Sequence, residues 1–269
     1  MPVVSEPLDD LLDLAEELAR RAGALLLKRL ADPRTEVSTK SSATDMVTEI
    51  DRLSERLIVD GIRAARPRDG ILAEESGELE GSSGLRWVVD PLDGTTNYLY
   101  GHPGFAVSIA VERDGRSIVA VVNDPVHSEL FTAVSEGGAR RNGVPIRPSQ
   151  AVDLGTALVA TGFAYDPARR RAQAAVLERV LPRIRDIRRM GAAAVDLCSV
   201  ACGRVDAYFE RGLEAWDLSA GLLIAAEAGA SVGAIGGGPA VPGSAIAAPP
   251  ALFEPLRALL VEAGAATHA

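Results

Sequence analysis

Several residue types are scarce in this 269-residue chain, and each shortage argues against a class of protein. There are two cysteines, Cys198 and Cys202, so a disulfide framework is excluded and a Zn²⁺ site would need further partners. Both thiols fall on one face of a predicted helix, where two small buried side chains are the simplest interpretation. The three histidines, His102, His127 and His268, form no recognisable ligand pair, which argues against Zn²⁺ or Fe.

The chain also lacks an excess of basic residues and any long apolar run. Its 28 Lys and Arg are outnumbered by 37 Asp and Glu, which gives a net charge of −9 and argues against a dedicated nucleic-acid-binding protein. The apolar runs are too short for a membrane-spanning helix, and the acidic N-terminal stretch has no signal-peptide core. We therefore expect a cytoplasmic protein with no nucleic-acid or membrane partner.

The first half of the chain begins with two helical patterns and continues with short β-rich runs. Apolar residues recur at helical spacing over residues 9–30 and again from about 45 to 65. Residues 71–135 contain short β-rich runs, separated by turn signals such as Asp114-Gly115; another such signal is Asn142-Gly143. This spacing predicts hairpins and hence a largely antiparallel sheet.

After about residue 148, strands alternate with helices, which is typical of an α/β layered structure. The helices are predicted near 167–181, 191–202, 217–228 and 250–263. We therefore predict fold class α/β in two halves, an N-terminal α+β half over 1–147 and a C-terminal α/β half over 148–269.

The stretch WVVDPLDGTTN, residues 87–97, places two carboxylates at the end of an apolar run. Asp90 ends that run and Asp93 follows it across a constrained turn. Gly94 lets another backbone approach closely, and Thr95 can begin a helix whose first N–H groups favour a phosphate. Taken alone, the stretch is more simply explained as a turn with a helix cap.

Further carboxylates change that interpretation. Glu74 follows an apolar run, Asp217 precedes an apolar helix, and Asp51 interrupts the apolar stripe of the second helix. Each has an ordinary alternative: a solvated strand end, a helix N-cap and a partly exposed stripe edge. If they gathered with Asp90 and Asp93, they would repel one another unless cations neutralised them. Mg²⁺ is the natural partner for such oxygen ligands, and metal-activated water is favoured over a covalent nucleophile.

These motifs resemble those of the inositol monophosphatase family of Mg²⁺-dependent, Li⁺-sensitive phosphatases. The resemblance covers nearly the whole chain, in the same order and spacing: KSSATDMVTEID at 40–51, the Glu74-Glu75 pair, WxxDPxDGTTN at 87–97, GAAAVDLC at 191–198 and WDxxAG at 216–221. It implies an αβαβα layered sandwich, usually a homodimer.

The resemblance also implies roles for individual residues. Two to three Mg²⁺ ions would be held, with Asp90 bridging two of them, by Glu74, Asp90, the Leu92 carbonyl, Asp93 and Asp217. Glu74 and Thr95 would activate the attacking water, and Asp51 would polarise Thr95. Substrate contacts would come from Asp93, Gly94, Thr95, Gly191, Ala192, Ala193, Glu210, Asp217 and, on a mobile loop, Lys40. Two departures from the family pattern are Leu92, often isoleucine, and Ala192, which often carries a hydroxyl.

The substrate is the less determined part of the prediction. The DGTTN form followed by Tyr98, with Glu210 as a hydroxyl acceptor, favours inositol monophosphate or a similar polyol phosphate. The alternatives within the family are fructose 1,6-bisphosphate, histidinol phosphate, 3′-phosphoadenosine 5′-phosphate and NADP. A regulatory binding protein is the alternative of another class, disfavoured because all the implied ligands are present.

Overall fold

The computed structural model describes residues 8–30, 37–39 and 46–266 of the chain. This part of the chain forms seven α-helices and three β-sheets. The helices are α1 (Leu8–Leu30), α2 (Glu49–Ala65), α3 (Thr95–Tyr100), α4 (Pro167–Val180), α5 (Ala193–Ala201), α6 (Ala215–Glu227) and α7 (Pro250–Glu262). None of these helices has the length and apolar composition needed to cross a membrane.

The strands before residue 146 form a two-stranded and an eight-stranded sheet. The small sheet pairs β1 (Val37–Thr39) with β2 (Met46–Thr48). The large one contains β3 (Gly70–Ala73), β4 (Gly77–Leu79), β5 (Leu85–Asp93), β6 (Ala106–Arg113), β7 (Arg116–Asp124), β8 (Glu129–Val134), β9 (Gly138–Arg141) and β10 (Val144–Pro145). Its order is β10-β9-β8-β7-β6-β5-β3-β4.

The eight-stranded sheet confirms the prediction of a largely antiparallel arrangement, with β3 and β5 as its one parallel pair among the described strands. Asp114-Gly115 and Asn142-Gly143 each adopt two successive positive φ angles at the turns joining β6 to β7 and β9 to β10. This conformation matches the twist of tight hairpins.

The second large sheet is mixed. It contains β11 (Leu158–Thr161), β12 (Asp186–Arg188), β13 (Ala207–Arg211), β14 (Ser231–Gly233) and β15 (Ser244–Ala248), in the order β12-β11-β13-β15-β14. β11 is parallel to both of its neighbours, whereas β15 is antiparallel to β13 and β14.

Alternating side chains direct the two faces of each large sheet toward different cores. In β5, Val89 packs in the core under α1 and α2, while Val88 packs in the core that contains α5 and α6. That second core also includes Tyr208 from the other sheet, and a third core lies between the far face of that sheet and α4 and α7. The order is therefore α, β, α, β, α, which confirms the predicted α/β layered sandwich.

The central helices pack against both sheets: α6 contacts β5 to β9 as well as β14 and β15. Division into halves at 147/148 stays a prediction, because the central core is shared.

The predicted start of the second helix near residue 45 is wrong. Met46–Thr48 pair with β1, and α2 begins at Glu49. Val47 lies four residues before Asp51 and so fits the helical spacing, but it belongs to a strand, as the β-branched residues Val47 and Thr48 favour. The stripe itself holds from Asp51 onward, with Ser54, Ile58 and Ile62 all buried.

Candidate active site

Three carboxylates from two distant parts of the chain meet where the two large sheets face each other. Asp90, Asp93 and Asp217 each offer an oxygen atom, and these atoms all lie within 4.8 Å of one another. Asp90 and Asp93 are buried, and Asp217 is half-buried. Both predicted motifs therefore contribute to one cluster.

An irregularity in β5 accounts for the closeness of Asp90 and Asp93. Residues three apart on a regular strand point to opposite faces of the sheet. Here Asp90 pairs with Ser108 and Asp93 pairs with Ala106, so three steps on β5 match two steps on β6. The extra residue of this bulge returns Asp93 to the side of the sheet that Asp90 faces. Asp90 thus lies within the strand, not at its tip.

The Asp93 carboxylate also binds the start of α5. It accepts hydrogen bonds from the Ala193 N–H at 3.2 Å and the Ala194 N–H at 2.7 Å. Ala192, the N-cap of α5, has no side chain that can do this. Position 192, which often carries a hydroxyl in the family, is alanine here, and the first N–H groups of α5 are capped by Asp93 from the other half of the chain.

Asp217 is the third residue of α6, which begins at Ala215 and not at the predicted Asp217. Glu214 is the N-cap, and the two residues form a reciprocal capping box in which the Glu214 N–H donates to Asp217 Oδ2 at 2.7 Å. This arrangement fixes the Asp217 carboxylate. Asp217 is therefore not an ordinary N-cap, the alternative that its sequence position left open.

Behind the cluster, a buried hydrogen bond joins Thr95 to α2. The Thr95 hydroxyl lies 2.9 Å from Asp51 Oδ1 and 3.1 Å from the Leu92 carbonyl oxygen. Its single hydrogen can be given fully to only one of them. Asp51 is completely buried, so it does not lie at a partly exposed stripe edge. A hydroxyl that donates to Asp51 keeps its lone pairs for another donor.

A cavity of about 380 Å³ gathers most of the residues predicted for the site. Those along its wall are Glu74, Asp90, Leu92, Asp93, Gly94, Thr95, Gly191, Ala192, Ala193, Glu210 and Asp217. Asp51 is not part of the wall and is linked to it through the Thr95 hydroxyl. Lys40 lies outside the described residues.

Burial, together with the charges of neighbouring carboxylates, raises the pKa values of the three clustered carboxyl groups. Burial, followed by the charges of Glu74, Asp93 and Asp217, holds the pKa of Asp90 well above its ordinary value. Burial raises the pKa of Asp93 to about 7, despite the two α5 N–H groups, which lower it. Desolvation and the Asp93 charge raise the pKa of Asp217 to about 8. The fully ionised form of the cluster is therefore energetically unfavourable.

On the opposite wall, Glu210 is oriented by a residue that the sequence interpretation had not considered. The Tyr208 hydroxyl donates to Glu210 Oε2 at 2.8 Å, since the two residues share one face of β13. Desolvation raises the pKa of Glu210 to about 7, and nearby Arg189 lowers it. The two-residue spacing in the strand was the available sequence signal for this pair.

Asp196 in α5 was also missed. It is buried, one of its carboxylate oxygens has no hydrogen-bond partner among the described residues, and burial with the charges of Glu210 and Asp93 raises its pKa well above the ordinary value. Burial therefore favours the neutral form of this carboxyl group over the charged one. Its place in an apolar helix segment gave no signal of this state.

The donor set fits a hard divalent cation. The described ligand atoms are oxygens from carboxylates, with the Leu92 carbonyl beside them and no His or Cys among the clustered residues. Such oxygens are the preferred ligands of Mg²⁺, whereas Zn²⁺ sites usually include nitrogen or sulfur. Cations would also relieve the repulsion that raises the carboxyl pKa values.

Comparisons with known proteins agree with this geometry. The profile of the inositol monophosphatase family matches residues 7–265. The Nus factor SuhB of Pasteurella multocida is 45% identical over 233 residues, which cover 86% of this chain and 87% of that protein. The inositol-1-monophosphatase of Mycobacterium leprae is 42% identical, with 92% of each chain covered. The solved inositol monophosphatase from Anabaena superimposes with a TM-score of 0.84 at 38% identity, covering 95% of this chain and 96% of that one. The chain therefore belongs to the inositol monophosphatase family of phosphatases.

Proposed function

We propose that this protein is a Mg²⁺-dependent phosphomonoesterase that hydrolyses inositol monophosphate, or a similar polyol phosphate, to the alcohol and inorganic phosphate. The observation that supports it most is the joining of Asp90, Asp93 and Asp217 into one cluster on the wall of a cavity that also contains Glu74 and Thr95. Two or three Mg²⁺ ions are the cofactors that this ligand set would take.

In this proposal, the cations would be held by Glu74, Asp90, Asp93, Asp217 and the Leu92 carbonyl. Bound Mg²⁺ supplies Lewis-acid stabilisation of the phosphoryl oxygens and lowers the pKa of the attacking water. The residues of the chain orient the reactants around that centre.

Thr95 and Glu74 are proposed to position the attacking water. Because Thr95 donates its hydrogen to Asp51, its oxygen is directed to accept a hydrogen bond from the water. Glu74 would accept a hydrogen bond from the other hydrogen of the same water, which orients a lone pair toward phosphorus. The Asp51–Thr95 pair is buried, so this orientation is held before the substrate arrives.

The leaving group is proposed to lie along the opposite wall. The Gly94 and Thr95 backbone would face the phosphate, while Gly191, Ala192, Ala193 and Glu210 would face the polyol, with Asp93 and Asp217 between the two ends. Glu210 accepts hydrogen bonds from hydroxyl groups, and Tyr208 fixes its orientation. The substrate contact of Lys40 remains a prediction. The homodimer and the cytoplasmic location also remain predictions.

One feature favours a second candidate substrate class. Arg169, Arg189 and Arg211 also line this cavity. Guanidinium groups bind a second phosphate well. Esters with another anionic group are therefore the main alternative, ahead of histidinol phosphate. Fructose 1,6-bisphosphate is the simplest of them, and 3′-phosphoadenosine 5′-phosphate and NADP are the others.

A regulatory binding protein is the alternative of another class, since one relative is named a Nus factor. The retained set of carboxylates favours catalysis, because a protein that only binds a partner would not need it.

A panel of phosphate esters tests the proposal. Phosphate release would be measured from the five esters named above, including inositol 1-phosphate, with Mg²⁺, with EDTA and with Mg²⁺ plus Li⁺. The expected result is Mg²⁺-dependent and Li⁺-inhibited release that is fastest from inositol 1-phosphate. Faster release from fructose 1,6-bisphosphate would move the substrate to the second class, and no release from any ester by the folded protein would refute the phosphatase.

A further inference from the structure

The Asn97 side chain joins two loops that come from different halves of the chain. Asn97 lies in α3, and its Nδ2 donates to the Gly104 carbonyl at 2.6 Å and to the Met190 carbonyl at 2.7 Å. Both hydrogens of the amide nitrogen are thereby used. The loop that contains Gly104 follows the phosphate end of the cavity, and the loop that contains Met190 leads directly into Gly191.

The backbones around this amide are packed too closely for a side chain to separate them. A Cβ at Gly94 would lie 2.9 Å from the Gly104 carbonyl oxygen and 3.3 Å from the Gly191 carbonyl oxygen. A Cβ at Gly191 would lie 3.1 Å from Asn97 Nδ2. Gly94 and Gly191 also have φ angles of 90° and 89°, which favour glycine. The backbones of the three segments therefore lie in close contact, and the Asn97 amide bonds across them.

Asn97 does not line the cavity. It acts on the site through the residues that it holds. The Met190 carbonyl precedes Gly191, Ala192 and Ala193, the backbone assigned to the polyol, while Asn97 itself follows Gly94 and Thr95, the backbone assigned to the phosphate.

We infer that Asn97 is a positioning residue that fixes the leaving-group wall relative to the phosphate end of the cavity, and so sets how well a polyol ester fits. The inference rests on the proposed phosphatase function. Asp93, through Ala193 and Ala194, is a second link between the same two regions, but it is also a proposed metal ligand. Asn97 is the link that can be altered without removing a ligand.

The side chain at position 97 must be an amide of this length. Aspartate has the same shape but offers only acceptors, so the carboxylate introduced by Asn97→Asp would face two carbonyl oxygens and repel them. Asn97→Asp is therefore the sharpest change, and Asn97→Ala removes the link without adding repulsion.

The test compares Asn97→Asp with Asn142→Asp, a matched control. Asn142 lies at a hairpin outside the cavity, where its Nδ2 donates to the Ser128 carbonyl and its Oδ1 accepts from the Leu130 N–H. For each variant, KM and kcat would be measured with the best ester of the panel, together with the inhibition constant of inorganic phosphate. Hydrogen exchange of the backbone over residues 189–194 would be recorded in the same proteins.

For Asn97→Asp we expect KM to rise by roughly 10-fold or more, because the polyol contacts are misplaced. The inhibition constant of inorganic phosphate should change by less than about 2-fold, since phosphate alone does not reach that wall. Exchange over 189–194 should accelerate while α1 is unaffected. Asn142→Asp should change none of these.

A lower kcat with unchanged KM would overturn the inference, because a general loss of folded enzyme gives that pattern. Weaker phosphate binding in parallel with KM would also overturn it, because the phosphate end of the cavity would then be disturbed as well. If Asn97→Asp does not fold, Asn97→Ala answers the same question. If the wild-type protein hydrolyses no ester, the proposed function fails. The link made by Asn97 can still be tested in that case, because unchanged hydrogen exchange over residues 189–194 in Asn97→Asp would refute it.

Discussion

The two walls of the cavity are built in different ways. On one wall, Asp90, Asp93, Gly94 and Thr95 come from a single short stretch, in which β5 passes through its bulge into α3. On the other wall, the Gly191–Ala193 backbone, Glu210 and Asp217 come from the starts of two helices and the end of a strand, far apart in the chain.

This difference separates chemistry from recognition. The wall formed by the β5–α3 stretch, here called the contiguous wall, contains two of the three clustered carboxylates and Thr95, which bonds to Asp51 behind it. We therefore expect changes there to slow the hydrolysis of every substrate. The wall built from α5, β13 and α6, here called the assembled wall, contains the groups that would contact the alcohol. Changes there should therefore alter which ester is preferred. Asp217 is the exception, because it joins the carboxylate cluster from the assembled wall.

The largest effect should come from Asp93→Asn. This change removes one negative charge from the cluster and one of the two acceptors for the α5 N–H groups. We expect turnover of all esters to fall on the order of 10³-fold. Phosphate release at saturating Mg²⁺ checks it, with Asp186→Asn, an exposed carboxylate on β12, as the control. Near-normal turnover at saturating Mg²⁺ would contradict the assignment of Asp93 as a ligand.

Thr95→Ala should come next. Loss of the hydroxyl leaves the water without its acceptor, and we expect turnover to fall roughly 10²-fold. Mg²⁺ should still raise the thermal stability, because the clustered carboxylates remain. Thr95→Ser keeps the hydroxyl and should recover most of the activity. Loss of the Mg²⁺ effect on stability with intact turnover would show that Thr95 serves the metal and not the water.

Glu210→Gln tests the assembled wall. The amide keeps an oxygen for the Tyr208 hydroxyl but removes the charge, so the bond to a polyol hydroxyl weakens. We expect KM for inositol 1-phosphate to rise by about 10-fold, with kcat nearly unchanged. The inhibition constant of inorganic phosphate should stay constant. A fall in kcat for every ester would move Glu210 from recognition to chemistry.

The smallest effect concerns pH. The pKa values of Asp93 and Asp217, raised to about 7 and about 8, mean that the metal-free folded protein binds protons that the unfolded chain has already lost. Stability in EDTA should therefore fall as pH rises from 5 to 8. Mg²⁺ replaces those protons, so it should raise the melting temperature by several degrees more at pH 8 than at pH 6. Equal stabilisation at both pH values would contradict the role of these carboxyls.

The same contrast explains what could be predicted from the sequence. The hairpins at Asp114-Gly115 and Asn142-Gly143, the helices and the α/β class followed from local patterns. The start of α2 did not, because pairing of Met46–Thr48 with β1 overrode the helical spacing. The parallel pairing of β3 with β5 could not be predicted either, because parallel strands are not joined by a tight turn that the sequence would reveal.

The site divides in the same way. The motif at 87–97 placed two carboxylates together by spacing alone, although the bulge that turns them to one side was not visible. Asn97 stood in that motif without a role, because one of its partners, Met190, is distant in sequence. Asp196 was missed because the groups that affect it surround it only after folding. The pair of Tyr208 and Glu210 was missed although its two-residue spacing was visible in the sequence.

The capping box that fixes Asp217 at the start of α6 has a consequence for the chain as it is synthesised. A nascent chain emerges with Asp90 and Asp93 long before Asp217, and N-terminal segments begin to fold first. The third carboxylate arrives only when α6 forms between the two sheets, and its orientation depends on the Glu214 N–H. Fragments that end before α6 therefore lack the complete cluster, and hydrolytic capacity should appear late, once the central layer has closed.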